Sequence, residues 1–356
     1  MSRLRAGEWV EVRSKEEILA SLDSNGRLEG LPFMPQMFQY CGRRFRVFKR
    51  AHKTCDTVSG DWVGRWLSDG VHLDLRCDGK AYGGCQAACL IFWKEAWLRP
   101  VGQDTTLAEP RPLAKPPRPG DAPHRLSCTE QDVWAGTRVK DQPVDDETRY
   151  ACQATDLLNY TTPLRWYDLR QYFEDYTSGN VTLGRILRAL IYVSYYYGTL
   201  SYRGRLGRPA RWLYNRFQAL WGGIPYPRAR GKIAADQPTP ATTLNLVAGE
   251  LVRVKSLQEI LATVDTGNKN RGLIFDAELV PYCGGTYRVR ARVNKFIDEK
   301  TGIMRTLKTP AVILEGVYCQ SRYSRCRMLC PRSIYSWWRE IWLERIPENA
   351  RSDVTR

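Results

Sequence analysis

The chain has 356 residues, 43% of them hydrophobic and 11% aromatic, which supplies two or three domains with real cores and excludes disorder as the main theme. Lys and Arg number 54 against 38 Asp and Glu, and the net charge of +16 favours polyanionic partners: nucleic acid, an acidic protein or an anionic membrane surface. The N-terminus carries no apolar run of signal-peptide length, and the longest weakly charged apolar stretch, Ala189 to Leu200, falls short of the roughly 20 residues of a helical span, so a cytoplasmic chain without a transmembrane helix is expected.

Residues 1–101 open with WVEVRS, an alternating strand pattern, followed by KEEILASLD, where Ile18, Leu19 and Leu22 keep helical spacing. A turn over Asp23 to Gly26 leads towards CGRRFRVFKRA, which alternates Phe45 and Val47 with Arg44 and Arg46, and VHLDLRC (Val71 to Cys77) alternates again. Residues 102–125 are rich in proline and read as a semi-rigid linker. Residues 126–225 read as helical. Thr162-Pro163 fits an N-cap and first helical residue for PLRWYDLRQYFEDY, a second helix is expected in VTLGRILRALIYVSYYYG, and a third in ARWLYNRFQALW. A second linker covers 226–246, residues 247–346 repeat strand-like patterns in LVRVKS, TYRVRARV and AVILEGVYC, and 347–356 form a tail.

Residues 247–346 also resemble residues 1–101 in sequence. GEWVEVRSKEEILASLD (Gly7 to Asp23) aligns with GELVRVKSLQEILATVD (Gly249 to Asp265) at an offset of 242, and YCGRRFRV aligns with YCGGTYRV at the same offset. Cys41 then matches Cys283, Cys77 matches Cys319, and small shifts match Cys85 with Cys326 and Cys89 with Cys330. Trp93, Glu95, Trp97 and Leu98 match Trp338, Glu340, Trp342 and Leu343. The expected architecture is α+β: two homologous small Cys-rich modules, each a β-barrel or curled sheet that resembles SH3-like barrels, flanking a helical middle segment.

In a cytoplasmic chain, clustered cysteines read as metal ligands before disulfides. The sets Cys41/Cys77/Cys85/Cys89 and Cys283/Cys319/Cys326/Cys330 have the thiolate number of two structural zinc ions, one per module. An iron–sulfur cluster takes the same ligands, and small buried hydrophobes or disulfides are the alternative without a metal. The unshared residues point elsewhere: His52, Cys55 and His72 face Asn294, Ile297 and Leu314, while His124, Cys128 and Cys152 have no counterpart. His52, Cys55 and His72 are therefore the candidate catalytic residues, and Cys55, His124, Cys128 and Cys152 the candidate third metal or thiol site.

Arg44, Arg46, Lys49 and Arg50 crowd one strand, and Arg288, Arg290 and Arg292 repeat that placement, as expected of paired basic strands tracking a phosphate backbone. A second basic run, Arg203 to Arg216, lies among Tyr195, Tyr196, Tyr197, Trp212 and Trp221, a composition suited to an anionic membrane surface or to a helical core. Trp93, Trp97, Trp337, Trp338 and Trp342 read as core rather than stacking platforms. Phosphate-binding glycine loops, HExxH and GxSxG are missing, which argues against the familiar nucleotide-binding, metalloprotease and hydrolase classes.

Through CQAACLIFWKEAWL (Cys85 to Leu98) and GGTYRVRARVNKFIDEKTG (Gly284 to Gly302) the chain resembles a bacterial Cys-rich family with a duplicated module, a resemblance that implies architecture and no activity. The leading expectation is a metal-stabilised, non-enzymatic binding or scaffold protein with a basic surface for a polyanion or protein partner. Its rivals are a metalloenzyme or redox enzyme using the His/Cys group, and an accessory factor in a bacterial biosynthetic pathway.

Overall fold

The computed structural model describes residues 3–60, 63–101, 128–139, 147–200, 207–220, 229–323 and 328–346. The fold is mixed α/β, with several small antiparallel sheets and short helices; the described strands close no barrel. The chain divides into two compact units: Met1–Gly84, Leu90–Val181 and Ile297–Met304 form the first, and Cys85–Cys89, Thr182–Phe296 and Arg305–Arg356 the second.

In the first unit, strand Trp9–Val12 lies between Leu98–Pro100 and Arg44–Arg46, with Val10 opposite both Pro100 and Phe45. Alternation decides its faces: Val10 and Val12 are fully buried while Trp9 is exposed. The helix Lys15–Ser21 starts on a reciprocal capping box, in which Ser14 Oγ accepts from Glu17 N at 3.2 Å and Glu17 Oε2 accepts from Ser14 N at 3.0 Å. Such a cap stabilises a short helix by about 1 kcal/mol. Phe33 packs edge-on against Trp93 and Trp97, at ring separations of 6.3 and 5.2 Å.

In the second unit, Leu251–Val254 lies between Leu343–Arg345 and the long strand Thr286–Ile297, within a five-stranded sheet completed by Met304–Tyr318 and Tyr335–Trp338. Val252 and Val254 are fully buried. Helix Leu257–Leu261 starts on the Ser256–Glu259 capping box, and Phe275 packs on Trp338 and Trp342 at 6.3 and 5.3 Å.

One device occurs in each unit. Gly7 and Gly249 both have φ of +94°, a region that costs glycine little and other residues much. Each glycine N–H donates at 2.8 Å to Val47 O or Val289 O. Each glycine carbonyl accepts from an arginine, Arg46 Nε at 2.8 Å or Arg288 Nη1 at 2.6 Å.

The middle segment departs from the helical reading at its start. Thr162–Leu164 is a strand paired with Gly64–Trp66, and the helix begins only at Arg170. Pro163 lacks an N–H and is tolerated because this strand is the edge of its sheet. The two later helices are present as Leu183–Leu200 and Gly207–Leu220. They pack through Tyr192 and Tyr214, whose rings are 6.0 Å apart, onto Ala277 and Tyr323 of the second unit. Among the described residues, no helix is long and apolar enough to cross a membrane.

Candidate functional site

Among the described residues no three His, Cys, Asp or Glu side chains are placed to hold a metal ion. Cys41, Cys77, Cys85 and Cys89 therefore form no assembled set, nor do Cys283, Cys319 and Cys330; Cys326 lies outside the described residues, as does His124. Burial instead holds several thiols in the protonated form. It pushes Cys283 up to about 12 and Cys152 to about 11, while burial and the nearby Glu16 raise Cys41 to about 11. Cys128 is buried and also shifted upward by desolvation, with Sγ 3.5 Å from Thr129 O. A protonated thiol is a poor nucleophile and a poor ligand.

The unshared histidines go to separate places. His72, in strand Gly70–His72, is wholly buried with Nδ1 2.8 Å from Ile91 O and its ring against Phe92. Cys55 is buried at the end of strand Lys53–Cys55, opposite Gly64. His52 joins a polar network that its sequence neighbours do not announce. Its Nε2 lies 3.2 Å from Gln171 O and 3.2 Å from Asp175 Oδ1, both contributed by helix Arg170–Thr177. Two acceptors facing Nε2 place a ring proton there, whereas Nδ1 is buried without a hydrogen-bond partner. Asp175 Oδ2 receives Lys53 Nζ at 2.5 Å, and Lys53 also donates to Gln171 Oε1 at 3.3 Å and lies over the Tyr172 ring.

A second buried node adjoins it in sequence. The Arg50 side chain is 3% exposed; its Nε donates to Glu174 Oε1 at 2.6 Å, and Nη1 donates to Glu95 and, at 3.2 Å, to Leu4 O. Burial opposes the guanidinium charge, but the hydrogen bonds to Glu174 and Glu95 outweigh it and raise the arginine above its ordinary value. Asn180 closes the node, with Oδ1 accepting from Arg50 N and Nδ2 donating to Arg50 O, each at 2.8 Å. These contacts fasten helix Arg170–Thr177 to the strands that carry Arg50 and Lys53.

A cleft of about 760 Å³ opens beside this helix, walled by Trp66, Leu164, Leu169 and Phe173, with Arg170 and Glu174 among its polar groups. The His52 and Asp175 side chains are fully buried and Lys53 is 4% exposed. Their charges balance within the network, so the arrangement anchors a helix and offers no exposed acid, base or nucleophile to a substrate.

The expected basic strand faces are largely committed to the fold. Arg46 and Arg288 bond the glycine carbonyls, Arg44 pairs with Glu11 at 3.2 Å, and Arg290 lies over the Tyr335 ring at 5.4 Å. Lys49 lies over the Phe48 ring at 4.9 Å. Arg50 does not belong to a surface at all, and Arg292 pairs with Glu340 at 3.2 Å. That glutamate accepts three backbone N–H groups, from Leu244 at 2.6 Å and from Asn245 and Leu246 at 3.2 Å.

The stronger cationic feature lies in the middle segment. From Tyr176 to Ala235 there are ten Arg and Lys residues and no Asp or Glu. Arg188, Arg211 and Arg216 are exposed on helices Leu183–Leu200 and Gly207–Leu220. Leu183, Leu187, Leu190 and Ile191 on the first helix, and Trp212 and Leu213 on the second, are exposed beside them. The missing carboxylates were a signal available in the sequence. Glu174 and Asp175, by contrast, sit in an unremarkable polar context, and only their burial distinguishes them. Compared with known proteins, the chain matches no family model, no curated protein and no solved structure.

Proposed function

We propose that this chain is a non-enzymatic binding or scaffold protein that presents a basic surface to a polyanion, and that the surface is the segment from Tyr176 to Ala235. The observation that carries the reading is the charge partition: ten cations without one carboxylate, in a chain whose strand arginines are largely engaged within the fold. Sixty residues without a carboxylate of their own favour a positive potential that steers anionic partners, and binding weakens as salt screens it. The scaffold on either side is built, in this reading, from two copies of one module. In support, the Phe33–Trp97 and Phe275–Trp342 pairs, the two capping boxes and the two arginine–glycine bonds are spaced alike in sequence and geometry.

The test is retention of the full chain on immobilised heparin and binding to duplex DNA across a salt series. Binding whose logarithm falls linearly with the logarithm of salt, and which weakens in R188Q/R211Q/R216Q, supports the proposal. Absence of binding to either polyanion at low salt sinks it.

A further inference from the structure

We infer that the polyanion is the surface of an anionic lipid bilayer, on which helices Leu183–Leu200 and Gly207–Leu220 lie in the plane of the membrane; this rests on the polyanion reading above. The first helix is apolar on two sides. Ile186, Ala189 and Tyr192 are buried, Tyr192 against Ala277 and Tyr323, and this side fixes the helix to its unit. Leu183, Leu187, Leu190 and Ile191 follow at steps of four, three and one, which at about 100° per residue gathers them into one stripe away from that packed side. Their exposures run from 37% to 63%, and Trp212 and Leu213 on the partner helix are 63% and 65% exposed.

Exposed apolar residues scattered singly need no explanation, but a stripe of four leucine-class side chains beside an exposed indole does. Nucleic acid and heparin offer such a stripe nothing to bury it in. An acyl-chain boundary beneath a layer of phosphates satisfies both parts at once, taking the leucines and Trp212 below and Arg188, Arg211 and Arg216 above. The absence of carboxylates matters because an Asp or Glu in the segment would be repelled by the same headgroups. Neither helix is long and apolar enough to span, which fits an interfacial rather than an inserted arrangement.

The experiment is flotation of the full chain with vesicles of phosphatidylcholine containing roughly a third phosphatidylglycerol, against pure phosphatidylcholine, at about 0.15 M salt, with heparin binding measured in parallel. Binding to the anionic vesicles is expected, with a loss on the order of tenfold in L187S/L190S, which removes buried apolar area and no charge, while heparin binding is unchanged. In R211Q/R216Q both vesicle and heparin binding fall, by about fivefold for each charge removed at the membrane. Heparin or DNA binding without vesicle binding overturns the lipid assignment and leaves the polyanion reading intact. Vesicle binding indifferent to L187S/L190S also overturns it, as does a dimer in solution that L187S/L190S converts to monomer, since a second copy then covers the stripe. Loss of all polyanion binding would instead remove the reading on which the lipid assignment rests.

Discussion

Replacing Arg50 by methionine tests whether burial, rather than the mere presence of an ion pair, sets the worth of these arginines. Arg50 is 3% exposed and engages Glu174 at 2.6 Å, Glu95 and the Leu4 carbonyl, with Glu174 itself 11% and Glu95 18% exposed. R50M therefore leaves Glu95 with little solvent and no arginine, and Glu174 with only the exposed Arg3 at 3.4 Å, a loss of about 3–5 kcal/mol by the cost of orphaning buried charge. Arg292 offers the internal control. It is 30% exposed, makes one bond to Glu340, and leaves that carboxylate holding three backbone N–H groups when removed. Glu340 is itself only 5% exposed, but those three N–H groups hold its charge, so R292M should cost no more than about 1–2 kcal/mol. At roughly 2–4 °C per kcal/mol for units of this size, R50M lowers its melting transition by about 6–20 °C, against a few degrees for R292M. Scanning calorimetry resolves the transitions of the two units separately if they unfold independently. Equal shifts for the two variants, or no shift for R50M, would refute the argument from burial.

D175A strands the buried Lys53 ammonium and is expected to cost about 3–5 kcal/mol, whereas K53M/D175L together should recover most of that loss; a urea-denaturation double-mutant cycle showing simple additivity would contradict the pairing. S21A and T263V remove the acceptors of the buried Trp97 and Trp342 indoles, which sit 3.2 and 3.0 Å from them, and each should cost about 1–3 kcal/mol in denaturant titrations. Cys283 and Cys152 should alkylate slowly at neutral pH in the native protein and rapidly in denaturant, because burial pushes them up to about 12 and about 11. Their folded values exceed the ordinary 9.0, so the unfolded chain releases these protons first. The contribution to stability is whole below that value and declines as pH rises towards 11 and 12; stability that climbs with alkalinity through this range would count against the burial.

Much of the local structure is legible because it depends on neighbours in sequence. Alternation buries Val10 and Val12, Ser14 with Glu17 and Ser256 with Glu259 announce helix starts, and Trp93, Trp97, Trp338 and Trp342 are core residues in both readings. The segment from Tyr176 to Ala235 declares its charge by composition alone. What composition could not settle is which partners meet across distant stretches. Thr162–Leu164 has the pattern of a helix start, yet it is a strand because Gly64–Trp66 offers backbone hydrogen bonds that a helix there would forgo. Clustered thiols suggest metal sites by count, but a site needs several ligands within a few ångströms, and among the described residues no three such side chains are placed to hold a metal ion.

Arg50 and Arg292 show the division most plainly, since they hold matching places on matching strand patterns. Sequence settles their charge and aligns Glu95 with Glu340 by the tryptophans around them, while the pairing of each arginine with its glutamate is seen only in the fold. Tertiary structure alone makes one a buried cation with two carboxylates and leaves the other partly solvated, because helix Arg170–Thr177 packs over Arg50 and brings Glu174 with it. Solvent access, which fixes the energy of a charge, is a property of everything packed around it and of no residue by itself.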